Sequence, residues 1–215
     1  MDVTVDLRVL ELICSRICHD VVGPVGAMNN GLELLAESGP ADSDGIMPLL
    51  TSSARQAWRR LDFFRTAVGY AGGRSEWPIS DLRRIAGGLF EEGKVTFDWP
   101  AAAIVEPLPL PGRSAKLMLH LISLGGEALP RGGKLSVDLG DVGAARRLAV
   151  TARGRGAVLH ERIVTALAGD VSVEELDPRA AQAFLAGIVA RSVGSRVETA
   201  AEDETVTLSA VIPPP

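Results

Sequence analysis

The sequence predicts an N-terminal helical hairpin that dimerises into a four-helix bundle, followed by an α/β sandwich with helices packed on one face. Three observations lead there. Two apolar stripes at helical spacing occupy the first 68 residues, the pattern breaks around residues 70–78, and strand-like pairs separated by helices follow.

The first stripe is Leu10, Ile13, Ile17, Val21, Pro24, Met28, Gly31 and Leu35. Steps of three and four mark one helical face, so a long helix is expected from about Val5 to Glu37. "SGPADSDG", Ser38 to Gly45, is a loop by composition. A second stripe, Ile46, Leu50, Ala54, Ala57, Leu61, Phe64 and Val68, makes the return helix. An isolated hairpin leaves half of each apolar face wet, so two copies are expected to pair into a homodimeric bundle. "YAGGRSEWP" reads as a linker, dividing the chain into residues 1–73 and 74–215.

Beyond it, Ser80 can cap a helix running to Phe90, and "KVTFDWP" reads as a strand. A helix from about Ser114 to Leu129 ends at the turn "PRGG", and "KLSVDLG" and "RRLAVTARG" look like paired strands. Helical stretches follow near Val158–Ala168 and Pro178–Val193. "SRVETAAEDETVTLSAVIP" alternates as a terminal hairpin, and the closing prolines are expected to fray. Pairs of strands with helices between them suit a layered sandwich.

Bulk properties narrow the function. The chain has 215 residues, with 22 Lys and Arg against 27 Asp and Glu, a net charge of −5. Nucleic-acid affinity rests largely on phosphate neutralisation, which this balance argues against. No apolar run approaches a bilayer span, and the first residues lack a basic segment followed by an apolar one. The expectation is a cytoplasmic protein with no membrane or nucleic-acid partner. Cys14 and Cys18, the two cysteines, are expected to be reduced and buried as small thiols. With His19 pointing about 100° away from Cys18, a metal site there is poorly supported.

Within the first helix, "CHDVVGPVGAMNNGLELL" (Cys18 to Leu35) contains a histidine, three glycines and a proline. His19 lies about 200° around the helix from Ile17, off the core stripe. Its own face carries Ser15, Arg16, Gly23, Gly26 and Asn30. A glycine in a helix interior costs about 1 kcal/mol relative to alanine, so two on one face are a local weakness. One reading is a cleared surface that lets another molecule reach the histidine. The other is an ordinary exposed histidine beside helix-packing glycines, and spacing alone leaves both open. Asp20 is either a solvated carboxylate or the group that orients the imidazole; Arg16 is either a surface charge or a phosphate contact.

"HDVVGP", His19 to Pro24, matches the H-[ED]-x-x-x-P phosphoacceptor box of sensor histidine kinases. The longer string more closely resembles the ChpT-type histidine phosphotransferases of alphaproteobacteria. The resemblance covers essentially the whole chain and is strongest in the first helix. It implies a dimerisation and phosphotransfer bundle joined to a degenerate histidine-kinase ATPase-like domain. Aligned on "ALPRGGKLSV", the two asparagines that hold Mg²⁺ in the kinases become His120 and Leu124, and leucine cannot ligate Mg²⁺. In "TARGRG" the adenine-reading aspartate becomes Ala152, with Gly154 and Gly156 as a turn remnant. Before "AFLAGIVARSVGSRVE" there is "EELDPRAAQ" and no glycine loop. The second domain is expected to keep the fold without binding or hydrolysing ATP.

What the resemblance then implies is a relay. A phosphoryl group passes from the receiver domain of a hybrid histidine kinase, through His19, to separate response-regulator receiver domains, in the setting of cell-cycle control. His19 is the nucleophile, with Asp20 assisting its tautomer and protonation. Arg16, Gly23, Gly26 and Asn30 form the docking face. The chain itself carries no cofactor, and Mg²⁺ comes from the partner receiver. An ATP-dependent kinase with an atypical pocket, or a non-catalytic dimeric adaptor, are the alternatives.

Overall fold

The computed structural model describes residues 4–38, 43–70, 75–101 and 108–214. The loop expected between the first two helices and the interdomain linker thus lie partly outside the described residues, as does the last proline. Helix α1 (Leu7–Ser38) and helix α2 (Ser43–Ala67) form the hairpin. Gly31 shows how closely they approach: a Cβ there would lie 2.8 Å from Leu50 Cδ2. Ile13, Pro24 and Gly31 of the first stripe and Ala57 and Phe64 of the second are buried, whereas Leu10, Ala54 and Leu61 are exposed.

The second unit begins with a two-residue strand β1 (Glu76–Trp77) and helix α3 (Ile79–Gly88). The cap of α3 differs from expectation. Pro78 occupies the N-cap with no side-chain hydrogen bond, and Ser80 lies inside the first turn. Proline presets the backbone for a helix entrance by itself. Strand β2 (Val95–Asp98), strand β3 (Leu110–Pro111) and helix α4 (Gly112–Glu127) follow. Then come β4 (Gly133–Val142), β5 (Ala145–Arg153), α5 (Glu161–Ala168), α6 (Pro178–Ser192), β6 (Val197–Glu202) and β7 (Thr205–Ile212).

The main sheet runs β2-β4-β5-β7-β6. The β4–β5 and β6–β7 pairs are antiparallel, as the sequence indicates. In addition β2 pairs parallel with β4, and β1 pairs antiparallel with β3 in a separate ribbon. Leu135 and Val137, Leu148, Val150 and Ala152, and Val206, Leu208 and Ala210 are buried at alternate positions along β4, β5 and β7. This is the period-two pattern of sheet residues facing helices on one side. Helix α4 packs on β5, β7 and α6 and also touches α2, which explains why ten of its residues are buried.

Hairpin and sandwich share an unbroken apolar core. Val9, Ile13, Phe63, Phe64 and Ala67 of the hairpin join Leu117, Leu121 and Leu208 of the sandwich in one cluster. Polar pins surround this seam. Arg8 donates to the carbonyls of Val173 and Glu174 at 3.1 Å each, and Lys116 Nζ donates to the Gly69 carbonyl at 2.7 Å.

Cys14 and Cys18 are free thiols, but both are exposed and not buried as the sequence predicts. Helix α1 turns Val9, Ile13 and Ile17 inward, so residues one position further round face out. Leu7, Leu10, Cys14, Cys18, Val22, Val25 and Leu32 form a second, exposed stripe at mostly three- and four-residue steps. No helix among the described residues is long and apolar enough to cross a membrane.

Candidate phosphotransfer site

His19 projects from the middle of α1 with 86% of its side chain exposed. Its Nδ1 lies 3.3 Å from Asp20 Oδ1. With the Nδ1 proton directed at that carboxylate, Nε2 is left as the free lone pair, which is the nucleophilic form of imidazole. Asp20 is half-buried at the hairpin's contact with the sandwich.

Pro24 accounts for how this turn is held. An interior proline has no N–H for the carbonyl four residues earlier, and here that carbonyl belongs to Asp20. Arg60 Nη1, from α2, donates to the Asp20 carbonyl oxygen. The gap opened by Pro24 is thus filled by a cation from the return helix, and α1 continues unbroken to Ser38. The backbone beside His19 is fixed from outside its own helix.

Of the docking residues expected from the sequence, Gly23 and Asn30 are exposed and Gly26 half-buried. A Cβ built at Gly23 or Gly26 would meet nothing within 4 Å, so the surface one and two turns beyond His19 is open. Arg16 shares a cleft with His19 but is turned towards the second domain. Its side chain is only 14% exposed and runs under the second domain, where both terminal nitrogens reach the Glu127 carboxylate. Burial pushes the Glu127 carboxyl above its usual range, and Arg16 offsets part of that rise.

Sequence reasoning missed Arg60, and it missed Glu127 with the far wall of a cleft of about 510 Å³. His19, Ser15, Arg16 and Asp20 line one side, while Glu127, Arg162, Asp177 and Arg179 line the other. Arg162 pairs with Asp177 at 3.0 Å. Pro24 four residues after Asp20 was a readable sign that a donor was needed there; nothing local in the sequence points to Glu127, 111 residues from Arg16.

The positions aligned with the kinases' second Mg²⁺-holding asparagine and adenine-reading aspartate are apolar and inward. Leu124 is 2% and Ala152 0% exposed. His120, also buried, has neither ring nitrogen in a well-formed hydrogen bond. Burial chiefly, then the nearby Lys116 cation, lowers its pKa to about 4, against the opposing pull of the Ala67 carbonyl.

A helical hairpin backed by this sandwich is the fold of histidine-kinase-like proteins. The histidine kinase ThkA, in its complex with the response regulator TrrA, shares the fold at a TM-score of 0.54 and 17% identity, over 97% of this chain and 63% of that one. The particular branch is narrower. Residues 79–205 match the histidine phosphotransferase C-terminal domain. The chain is 36% identical to the protein phosphotransferase ChpT of Brucella abortus (strain 2308), over 98% of this chain and all of that protein. A solved bacterial phosphotransferase superposes with a TM-score of 0.82 and 36% identity, over 97% of this chain and 98% of that one. The chain belongs to the histidine phosphotransferase family and is a protein phosphotransferase.

Proposed function

We propose that His19 is the phosphoacceptor of a relay running from the receiver domain of a hybrid histidine kinase to separate response-regulator receivers. The observation that carries this reading is the geometry of His19 itself: a solvent-facing Nε2, an Nδ1 paired with Asp20, and open space over Gly23 and Gly26. The partner class comes from fold likeness, since ThkA was solved with a response regulator.

In the forward step Nε2 attacks the phosphorus of a receiver's phosphoaspartate. The N–P bond forms, the P–O bond to the aspartyl carboxylate breaks, and that carboxylate leaves. Asp20 holds the Nδ1 proton and stabilises the positive charge that grows on the ring. In the second step an acceptor aspartate attacks the phosphorus and the N–P bond breaks, returning the lone pair to Nε2. Positioning and charge neutralisation carry most of such a transfer, with Mg²⁺ brought by the docked receiver.

The chain is proposed to take its phosphoryl group from protein rather than ATP. Leu124 and Ala152 support this, because both side chains pack into the core and neither has a donor or acceptor atom for Mg²⁺ or adenine. The exposed stripe from Leu7 to Leu32, with Met47, Trp58 and Leu61 of α2, supports a homodimer built through the hairpin. Its burial would cover Cys14 and Cys18 as well. The cytoplasm and cell-cycle control are the setting proposed.

The test is phosphoryl transfer from a radiolabelled receiver to the purified chain. His19→Ala should abolish labelling by on the order of 10³-fold or more, as loss of a nucleophile does, in a protein whose circular dichroism is unchanged. Labelling that survives the substitution moves the phosphoacceptor elsewhere, and autophosphorylation with ATP overturns the relay in favour of a kinase.

A further inference from the structure

We propose that Glu127, at the end of α4 in the second domain, is a positioning residue for His19: by holding Arg16 it leaves Asp20 free to accept the Nδ1 proton. The inference rests on the reading of His19 as phosphoacceptor.

Two carboxylates compete for one guanidinium. Arg16 gives its terminal nitrogens to Glu127, one of them to Oε2 at 3.5 Å. Its Nε faces Asp20 Oδ2 at 3.9 Å, too far for a hydrogen bond. That Nε is buried and makes no hydrogen bond at all. The guanidinium has therefore been drawn towards the second domain and off the carboxylate one turn away on its own helix, leaving a donor idle. The other oxygen of Asp20 is the one that meets His19 Nδ1 at 3.3 Å. Arg60 holds the Asp20 carbonyl, so the backbone stays put while the side chain chooses between its two neighbours.

Without the negative charge on Glu127, the nearest carboxylate to Arg16 is Asp20 at i+4. The pair would close into a charge-assisted hydrogen bond. Asp20 would then turn from the imidazole, and nothing would keep the proton on Nδ1. An imidazole protonated at Nε2 has no lone pair there for attack.

A simple interdomain tie makes a different prediction, which permits a test. Glu127→Gln, Arg16→Gln and the double variant are compared in the full chain. The first readout is the tautomer of His19 from its ring ¹⁵N shifts, the signal being assigned by its loss in His19→Asn. The second is the rate of phosphorylation by phosphoramidate, a small donor that needs no partner: the Nε2–P bond forms, the donor's P–N bond breaks and ammonia leaves.

Glu127→Gln should move His19 towards the Nε2–H form and slow phosphorylation by about tenfold or more, part of what a wrong tautomer costs. The double variant removes the competing cation as well and should recover to within about threefold of the parent. Recovery is the outcome that a mere tie cannot give. A double variant as slow as Glu127→Gln, or a Glu127→Gln protein unchanged in both readouts, overturns the proposal. Should Glu127→Gln fail to fold, Arg16→Gln decides alone: it should keep the Nδ1–H form, and loss of that form overturns the proposal. Phosphorylation persisting in His19→Asn would sink the phosphoacceptor reading instead.

Discussion

The interior of the sandwich and the outer face of the hairpin use the same kinds of residue in opposite ways. Leu121, Leu148 and Leu208 are fully buried, and nearly every apolar position on α4 has a neighbour. Along α1 and α2, Val22, Val25, Leu32, Trp58 and Leu61 are between 45% and 65% exposed. One unit completes its core within the chain and the other does not. A contiguous apolar face of that kind marks an interaction surface. The difference divides the first helix: at residue 9 or 13 it belongs to the intramolecular core, and at residue 22 or 25 it presents the face proposed to pair.

The strongest way to break that contrast is to truncate a leucine in each region. Leu121→Ala should lower unfolding stability by about 2–5 kcal/mol through lost burial and a cavity. Leu32→Ala should change the stability of the separated chain by less than about 0.5 kcal/mol. A charge on this exposed face, Val25→Asp, should convert the proposed dimer to monomer by sedimentation while leaving denaturation of the separated chain nearly unchanged. Equal losses at Leu121 and Leu32 would mean that the hairpin face is already covered.

A smaller effect comes from His120, where the two regions meet. In the unfolded chain an imidazole titrates near 6.5, and in the fold this one is lowered to about 4. Between those values the unfolded chain binds a proton that the folded chain refuses. The contribution is therefore intact above about pH 6.5 and is lost as pH falls towards 4, a loss of about 3 kcal/mol. His120→Leu should remove this acid sensitivity, measured as urea midpoints from pH 7 to pH 4. Because neither ring nitrogen has a well-formed bond to lose, the variant should be no less stable than the parent at pH 7.

The smallest effect separates stability from function on the face around His19. Gly23→Ala and Gly26→Ala meet no steric obstacle and should stabilise α1 by about 0.5–1 kcal/mol each. A bulkier Gly23→Leu should slow transfer from a receiver but not phosphorylation by phosphoramidate. Slowing of both reactions alike would show that the glycine acts on the histidine and not on docking.

Much of this was readable from periodicity. The bounds of α1 and α6, the pairing of β4 with β5 and β6 with β7, and the outward position of His19 all follow from residues close in sequence. What was not readable depends on distant partners. Thr96 of β2 pairs with Lys134 of β4 only after the chain has passed through α4, and a four-residue strand gives no sign of its neighbour. The cysteines looked inward because they sit four apart beside an apolar stripe, yet a second stripe runs beside the first and period alone cannot say which one faces the core. Arg16 shares the histidine's face on a wheel, but its long side chain bends to a carboxylate that no helical projection contains.

Pro24 and Arg60 also make one feature written at two places in the chain. A lineage that replaced the proline with an ordinary residue would restore the missing N–H and leave Arg60 competing for a carbonyl already taken. One that lost the arginine first would carry an orphan carbonyl beside its nucleophile. Neither path is neutral in its first step, so the two positions should change together or not at all. The same holds for anyone transplanting the His19 helix into another scaffold, who must bring a piece of α2 with it.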